Sequence, residues 1–522
     1  MFWPKVLIDS SPNKAPSGSV MKKKNKAAKK SHKSKESTNN KATRRGFIKA
    51  SAATAAAVGY FGSGPSVATA AASHPRSALN EPGIGFIGTG IRFHTYHGKE
   101  ALKHGPCIAV CDVDSVQAGR ALQVAIDAHR DKKRGIVIGV HDDYRRILDD
   151  KNVDVVVIGT VDHWHSKIAI EAMRAGKDVY CEKPVTLTIR EGQQILKVQK
   201  ETGRVVQVGT QQRTEFSKRF ATAAAMIREE RVGELDQVNI CLGGSRESGV
   251  IPVVEPPTFL NWEKWLGQCP LVDYQAESEV VDVTGWGAGF PFSRAHRYYR
   301  WFYEYSGGKL TDWGAHHVDI AMLALNKLGD DIGKITIDPL EVTHPVDFDK
   351  KGMPLSSEKF NCATQFKVKC TFEDGLTMFV RDNAPDLGFD NGIMFTGKDE
   401  RRFLVNRGKL VGKPAEALKK NPLADDAISK LFIDDPTDDI GFGKEGYHMK
   451  NFFDCVLTRK TPASDLQSHH RMLNVCHGIN IAMRLNRKVV FDPSNETFGD
   501  DELANSFIER EQREGYEIDV DV

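Results

Sequence analysis

The nine cysteines of this 522-residue chain never form a C-x-x-C pair. That spacing argues against a disulfide framework and a zinc ribbon. Cys107, Cys111 and Cys181 fall in apolar runs, where cysteine acts as a small hydrophobe. Long hydrophobic runs are missing from the leader as well. The stretch Ala50 to Phe61 is too short, and too rich in alanine and glycine, to span ~30 Å of hydrocarbon. Basic charge is confined to one region. Residues 1–72 hold fourteen Lys/Arg against two Asp/Glu, although the formal net charge of the whole chain is only +3. The remainder is therefore net acidic, which argues against nucleic-acid binding. Internal repeats are absent. With 40% hydrophobic and 27% charged residues, the chain has the composition of a two-domain globular protein behind a leader.

The leader, residues 1–72, contains Thr43-Arg44-Arg45-Gly46-Phe47-Ile48-Lys49 ahead of that weakly apolar stretch. Small residues follow at Ala68-Thr69-Ala70 and Ala70-Ala71-Ala72, either of which suits cleavage. This is the pattern of a twin-arginine signal, and it predicts passage through the twin-arginine export machinery to the periplasm or beyond. Residues 21–41, with Lys22-Lys23-Lys24 and Lys29-Lys30, form a long basic lead, and the basic charge stops where the apolar stretch begins. Residues 1–20 have no signal character, and Met21 is an alternative start. Twin-arginine export carries folded proteins, so any cofactor would be loaded beforehand and held tightly.

Residues 80–204 read as alternating strands and helices. Gly83-Ile84-Gly85-Phe86-Ile87 is a short buried strand leading into Gly88-Thr89-Gly90-Ile91-Arg92-Phe93. Gly88 allows a tight turn, Gly90 lets the backbone approach a pyrophosphate, and helix amides receive its charge. Phe93 replaces the third glycine of the usual pattern, which predicts a helix standing off the strand. A second strand, Pro106 to Cys111, ends in Asp112, about 20 residues beyond the turn, where a carboxylate grips ribose hydroxyls and repels a 2′-phosphate. NAD is thus expected rather than NADP. Asp154 to Gly159 is a continuous apolar run typical of a strand buried on both faces. In the Thr160–His165 segment that follows, Thr160 and Asp162 read as helix caps as well as cofactor contacts. His163 and His165 lack the cysteine or carboxylate cluster a metal would need, so no metal is expected. Asp178 to Cys181 forms another strand, and Lys183 stands where it ends, within reach of both a nicotinamide and a substrate hydroxyl. A last strand, Arg204 to Gly209, leads to Gln211.

Downstream, Gly307-Gly308-Lys309-Leu310-Thr311-Asp312-Trp313-Gly314-Ala315-His316-His317-Val318-Asp319 carries a second constellation. Asp312 and His316 are four apart and share a helix face. A histidine there can take a hydroxyl proton while hydride leaves the same carbon. Lys183 can stabilise the developing negative charge on that oxygen. Asp312 can hold the substrate or orient the imidazole.

Taken together, the Gly88/Gly90 turn, Asp112, Thr160 to His165, Glu182-Lys183-Pro184 and the Asp312/Gly314/His316/Asp319 run resemble the Gfo/Idh/MocA family of oxidoreductases over roughly residues 80 to 515. The resemblance implies an N-terminal Rossmann dinucleotide-binding domain and, over 205–515, a C-terminal α+β domain with a large, mainly antiparallel sheet for substrate binding and oligomerisation. It implies cofactor contacts from Gly88, Thr89, Gly90, Ile91, Arg92, Asp112, Thr160, Asp162, His165, Glu182, Lys183 and Gln211. Catalysis would fall to Lys183, His316 and Asp312, with a cis Lys183–Pro184 peptide. The expected reaction is hydride transfer between NAD and a secondary hydroxyl of a sugar, cyclitol or sugar derivative. The same family includes exported glycoside hydrolases that oxidise, eliminate, hydrate and re-reduce, so that alternative stays open. A homo-oligomer, dimer or tetramer, is expected.

The C-terminal region itself reads as a helix over Phe216 to Glu230, then a strand over Leu235 to Leu242. A Gly- and Pro-rich excursion over 243–300 follows, expected to wall a pocket or an interface. Arg300, Trp301 and Asp319 are substrate-contact candidates, with Trp286 and Tyr298 suited to stacking on a sugar. Strands are expected at Ala363–Phe372, Leu376–Asp382 and Gly392–Gly397, and helices through Asn451–Leu457 and Ser468–Leu485.

Overall fold

A computed structural model describes residues 81–520, except 133–134, 282–290, 330–331 and 438. The Arg44-Arg45 leader and Trp286 lie outside the described residues.

The first domain is built on six parallel strands: β1 (Ile84–Ile87), β2 (Cys107–Cys111), β3 (Gly139–His141), β4 (Val155–Ile158), β5 (Asp178–Cys181) and β6 (Val206–Val208). Their order is β3-β2-β1-β4-β5-β6. β1, β4 and β5 are buried along their whole length, which is why they read as apolar runs. The chain leaves β1 and β4 in opposite directions across the sheet, and this switch point opens a crevice. Helix ends are set by side chains. Asp114 caps Ser115–Asp131 by accepting from the amides of Val116 and Gln117 at 2.9 and 3.1 Å. Thr188 caps Ile189–Thr202, which stops at Gly203 with φ 62°. Thr160 and Asp162, by contrast, cap nothing. The Thr160 hydroxyl donates to Val161 O, and Asp162 accepts from the hydroxyls of Tyr299 and Ser306. Phe93 fills the space between helix and β1, its ring edge-on to Phe86 at 5.1 Å, and the turn Phe93–His97 widens into a π-helix.

The second domain begins with β7 (Leu235–Cys241) and the hairpin β8 (Ala276–Val281) and β9 (Pro291–Ser293). It continues through β10 (Ile335–Thr343), β11 (Gln365–Phe372), β12 (Thr377–Arg381), β13 (Gly392–Gly397), β14 (Arg402–Val405), β15 (Leu410–Val411) and β16 (Val489–Phe491). Eight of these form one sheet in the order β15-β14-β13-β7-β12-β11-β10-β16, antiparallel except for the β7–β12 pair. Along β11 the buried residues alternate as Phe366, Val368, Cys370 and Phe372, the two-residue period of a sheet with one covered face. Each such apolar side chain contributes roughly 1.5–3 kcal/mol when fully buried. Helices Gly314–Ala324 and Leu466–Leu485 belong to the same apolar core. All eleven residues of Gly314–Ala324 are buried, so this helix has no solvent-exposed face. The helix expected from Phe216 starts at Arg219, because Phe216, Ser217 and Lys218 take φ of 55°, 56° and 62°.

Candidate active site

The two domains enclose a cleft of about 1290 Å³ at the carboxyl ends of β1, β2, β4 and β5. On its first-domain wall, Gly88 has φ 80°, and a Cβ there would lie 2.4 Å from the Thr160 amide nitrogen. Only glycine allows β1 and β4 to separate so closely. A Cβ on Gly90 would meet no atom within 4 Å, so its bare backbone faces open space in the cleft. Ile91 and Arg92 continue that wall into a helical first turn, whose amides have no intrahelical acceptors. This cradle fits a diphosphate.

Asp112 closes the next strand. Its Oδ2 accepts from the Thr89 amide at 2.7 Å and the Thr89 hydroxyl at 3.2 Å, and its Oδ1 accepts from the Asp114 amide at 2.9 Å. Burial raises its pKa to about 6, against the lowering effect of the Asp114 and Thr89 amides. Oδ1 keeps a lone pair for a ribose hydroxyl. Thr89, expected to contact the cofactor, is instead fully buried and spent on Asp112, so it shapes the turn from behind.

Glu182 and Lys183 follow β5 and face the same space. Glu182 Oε1 accepts from Arg92 Nε at 2.7 Å and Gln211 Nε2 at 3.1 Å, and lies 3.1 Å from His97 Nε2. Burial resists this charge, but Arg92 and His97 hold the carboxyl well below its usual range. Gln211 also donates to the Tyr180 hydroxyl at 2.9 Å. Both ring nitrogens of His165 meet backbone carbonyls, Pro184 O at 2.7 Å and Thr160 O at 3.2 Å, fixing the loop that carries Lys183. The Lys183–Pro184 peptide is cis.

The opposite wall comes from the second domain. Gly308, with φ 61° and a would-be Cβ only 2.8 Å from Cys362 Cβ, starts the short helix Lys309–Asp312. Asp312 therefore meets Lys183 across the cleft, Nζ donating to Oδ1 at 2.7 Å and to the Asp312 carbonyl at 3.0 Å. Burial opposes the Asp312 charge, yet Lys183, Arg300 and Lys309 hold its carboxyl well below the usual range. His316 lies one turn on and lines the same cleft. Its Nδ1 is buried without a hydrogen-bond partner among the described residues. Burial, Arg407 and Lys183 push the pKa of this imidazole well below 6.5, so it is neutral. His317 points elsewhere, its Nε2 3.1 Å from Asn391 Oδ1.

Of the residues expected at substrate, Arg300 and Trp301 line the cleft. Asp319 does not: it is wholly buried in a bidentate pair with Arg213, at 2.6 and 2.8 Å. The helix carries it past the cleft into the core, and Arg213 covers it. The 243–300 excursion does wall the cleft. Its Trp265 and Leu260 line it, His296 Nε2 lies 2.9 Å from Asp114 Oδ2, and Lys264 pairs with Asp142 at 2.8 Å. Sequence reading missed Arg246, Lys309 and Arg407. Lys309 stood within the second constellation without a role, whereas Arg407, on the β14–β15 turn, carries no local signal at all.

The fold and this cleft define a two-domain dinucleotide-binding protein. Residues 83–210 match the family model for "Oxidoreductase family, NAD-binding Rossmann fold", and residues 442–518 match "Oxidoreductase family, C-terminal alpha/beta domain". These two stretches are thus similar to the NAD-binding Rossmann domain and the C-terminal domain of the Gfo/Idh/MocA oxidoreductases. It is 30% identical over 205 residues to inositol 2-dehydrogenase of Salmonella typhimurium, covering 39% of this chain and 52% of that protein. It is 34% identical over 160 residues to glycosyl hydrolase family 109 protein 2 of Shewanella sp. (strain ANA-3), covering 28% and 35%. The chain spans about half the length of the inositol dehydrogenase it matches. A WlbA dehydrogenase from Chromobacterium violaceum, solved with NADH and UDP-GlcNAcA, shares the fold. Its TM-score is 0.52 at 16% identity, over 80% of this chain and 98% of that one.

Proposed function

We propose that this chain is an exported NAD-dependent oxidoreductase acting on a secondary hydroxyl of a sugar, cyclitol or sugar derivative. The observation that carries the reading is the convergence of Lys183, Asp312 and His316 on one cleft with the Gly88/Gly90 turn. A bound nicotinamide supplies the two-electron acceptor for the carbinol hydrogen. Lys183 has three N–H donors, and two are spent on Asp312. The third is left for the substrate oxygen, whose developing negative charge it stabilises. Neutral His316 lines the cleft and carries one unprotonated ring nitrogen to take the hydroxyl proton. Asp312 holds the ammonium in place. The inositol dehydrogenase relative supports an alcohol substrate. Export rests on the Arg44-Arg45 leader, and the expected assembly is a homo-oligomer, measurable by light scattering.

Incubating the purified protein with NAD and a panel of sugars and cyclitols tests the activity. NADH formation that is lost in Lys183→Met and His316→Ala is the expected result. A second reading, glycoside cleavage by transient oxidation, elimination, hydration and re-reduction, is favoured by the family 109 relative. Aglycone release from a glycoside without net NADH would select it. Neither NADH nor aglycone from any member of the panel would sink both.

A further inference from the structure

The substrate side of the cleft carries more positive charge than its carboxylates balance. On the facing first-domain wall Arg92 is matched by Glu182, and Lys183 reaches across to Asp312. Arg246, in the loop after β7, and Lys309 also line the cleft, and neither has a carboxylate within ion-pair distance among the described residues. Lys309 has no side-chain hydrogen bond there either. Its Nζ stands 5.7 Å from the centre of the Trp301 ring. Arg300 reaches Asp312 only at 3.9 Å. Burial lowers the pKa of Lys309, Lys183, Arg246 and Arg300 lower it further, and Asp312 alone among its neighbours opposes them. The indole N–H of that Trp301 is buried with no partner among the described residues.

Ammonium, guanidinium and indole N–H have one property in common: they donate and accept nothing. A neutral polyol presents hydroxyls that both donate and accept, and it would leave this wall's charge unanswered. An oxyanion offers only acceptors and offsets the charge. The cofactor's own diphosphate is not the anion in question. Its cradle is the Gly88–Gly90 turn of the first domain, whereas Arg246, Arg300, Trp301 and Lys309 all belong to the second, beside Asp312. Arg407 plays a different part, stacked between the rings of Phe216 and Trp313 at 4.8 and 4.6 Å.

We infer that the substrate bears an oxyanion, a carboxylate or a phosphate ester, seated between Lys309, Arg246 and the Trp301 indole with Arg300 alongside. This rests on the oxidoreductase reading above and specifies which sugar derivatives it takes. Calorimetric titration of the NADH-loaded protein with D-glucuronate, D-glucose 6-phosphate and D-glucose tests it without requiring turnover. At least one anion should bind about tenfold or more tightly than glucose, as charge-assisted hydrogen bonds imply. The preferred anion distinguishes carboxylate from phosphate. The preference should shrink by about tenfold in the Lys309→Gln/Arg246→Gln double variant, weaken with added salt, and survive in Lys309→Arg. Glucose binding as tightly as both anions, no binding of either anion, or an unchanged preference in the double variant overturns the inference. NADH formation is followed in parallel with the sugar panel. Turnover of neutral sugars with a KM unmoved by the double variant sinks the anion and keeps the oxidoreductase. A robust anion preference with no NADH from any alcohol does the reverse.

Discussion

On the first-domain wall Glu182 is met by Arg92, His97 and Gln211, and Asp112 by the Thr89 and Asp114 amides. On the second-domain wall Lys309 and Arg246 face the cleft with no carboxylate in ion-pair distance among the described residues. The carboxylates of the first wall are preassembled, each held by its donors before any ligand arrives, as suits a cofactor that is always the same. The second keeps unsatisfied donors, and such groups gain most from a ligand that completes them. His316 stands between the two conditions. Burial, Arg407 and Lys183 keep its imidazole neutral, and an anion bound on the second wall would make it a stronger base.

The largest effect should come from removing that base. His316→Ala should lower turnover by about 10²–10⁴-fold while NAD binding, on the other wall, stays as it was. A loss of NAD affinity equal to the loss of turnover would erase the distinction between the walls. The sign of the pH dependence follows from the same residue. A pKa pushed well below 6.5 leaves the imidazole neutral as pH falls through 6.5. At saturating NAD, the oxidation rate should therefore show no acid limb there on account of His316.

Lys183→Met comes next, with turnover expected to fall by about 10²–10³-fold, as for loss of one oxyanion donor. Lys183 bridges the walls, so its removal also leaves Asp312 to Arg300 and Lys309. Measured KM should rise along with the drop in kcat. A change in KM alone would make Lys183 a binding residue and nothing more.

How much of this was legible depended on how local each signal was. β1, β4 and β5 are short, fully buried runs, and composition alone marks them. β3, three half-buried residues, left no such mark. Asp112, Lys183, Asp312 and His316 could be placed because each follows a recognisable strand end or helix start. Thr89 and Asp319 were misjudged for one reason. Sequence spacing says which residues neighbour a site but not which way a side chain turns. The 3.6-residue period puts Asp319 near the face of Asp312 and His316, yet three residues further on the helix is already in the core, where Arg213 awaits it. Arg407 was invisible because its place is fixed by the pairing of β13 with β7 and by the rings of Phe216 and Trp313, contacts between segments far apart in the chain.

The Asp319 correction can be tested through stability. Breaking a buried pair by removing one partner costs about 3–5 kcal/mol. Asp319→Asn should lower unfolding stability by that order in thermal or denaturant melts and leave KM unchanged in the folded fraction. An unchanged melt with a raised KM would return Asp319 to the substrate wall.

The smallest effect, and the one that probes the preassembled wall most directly, is the pH dependence of NAD binding. Burial lifts Asp112 to about 6, so its carboxylate is ionised above that pH and protonated below it. Only the ionised form keeps an Oδ1 lone pair for a ribose hydroxyl while Oδ2 holds Thr89. NAD affinity should accordingly be full at neutral pH and fall as pH drops through about 6. The loss should be about ten- to a hundredfold, the scale of one charge-assisted hydrogen bond at 1.5–3 kcal/mol. Asp112→Asn should bind NAD weakly at every pH and flatten the dependence, while NADP, no longer repelled, gains relative to NAD. Fluorescence titration of both cofactors across this range reads all three effects. If affinity in the unmodified protein is level through pH 6, the ribose is held by some other group, and the first wall is less complete before binding than its hydrogen bonds indicate.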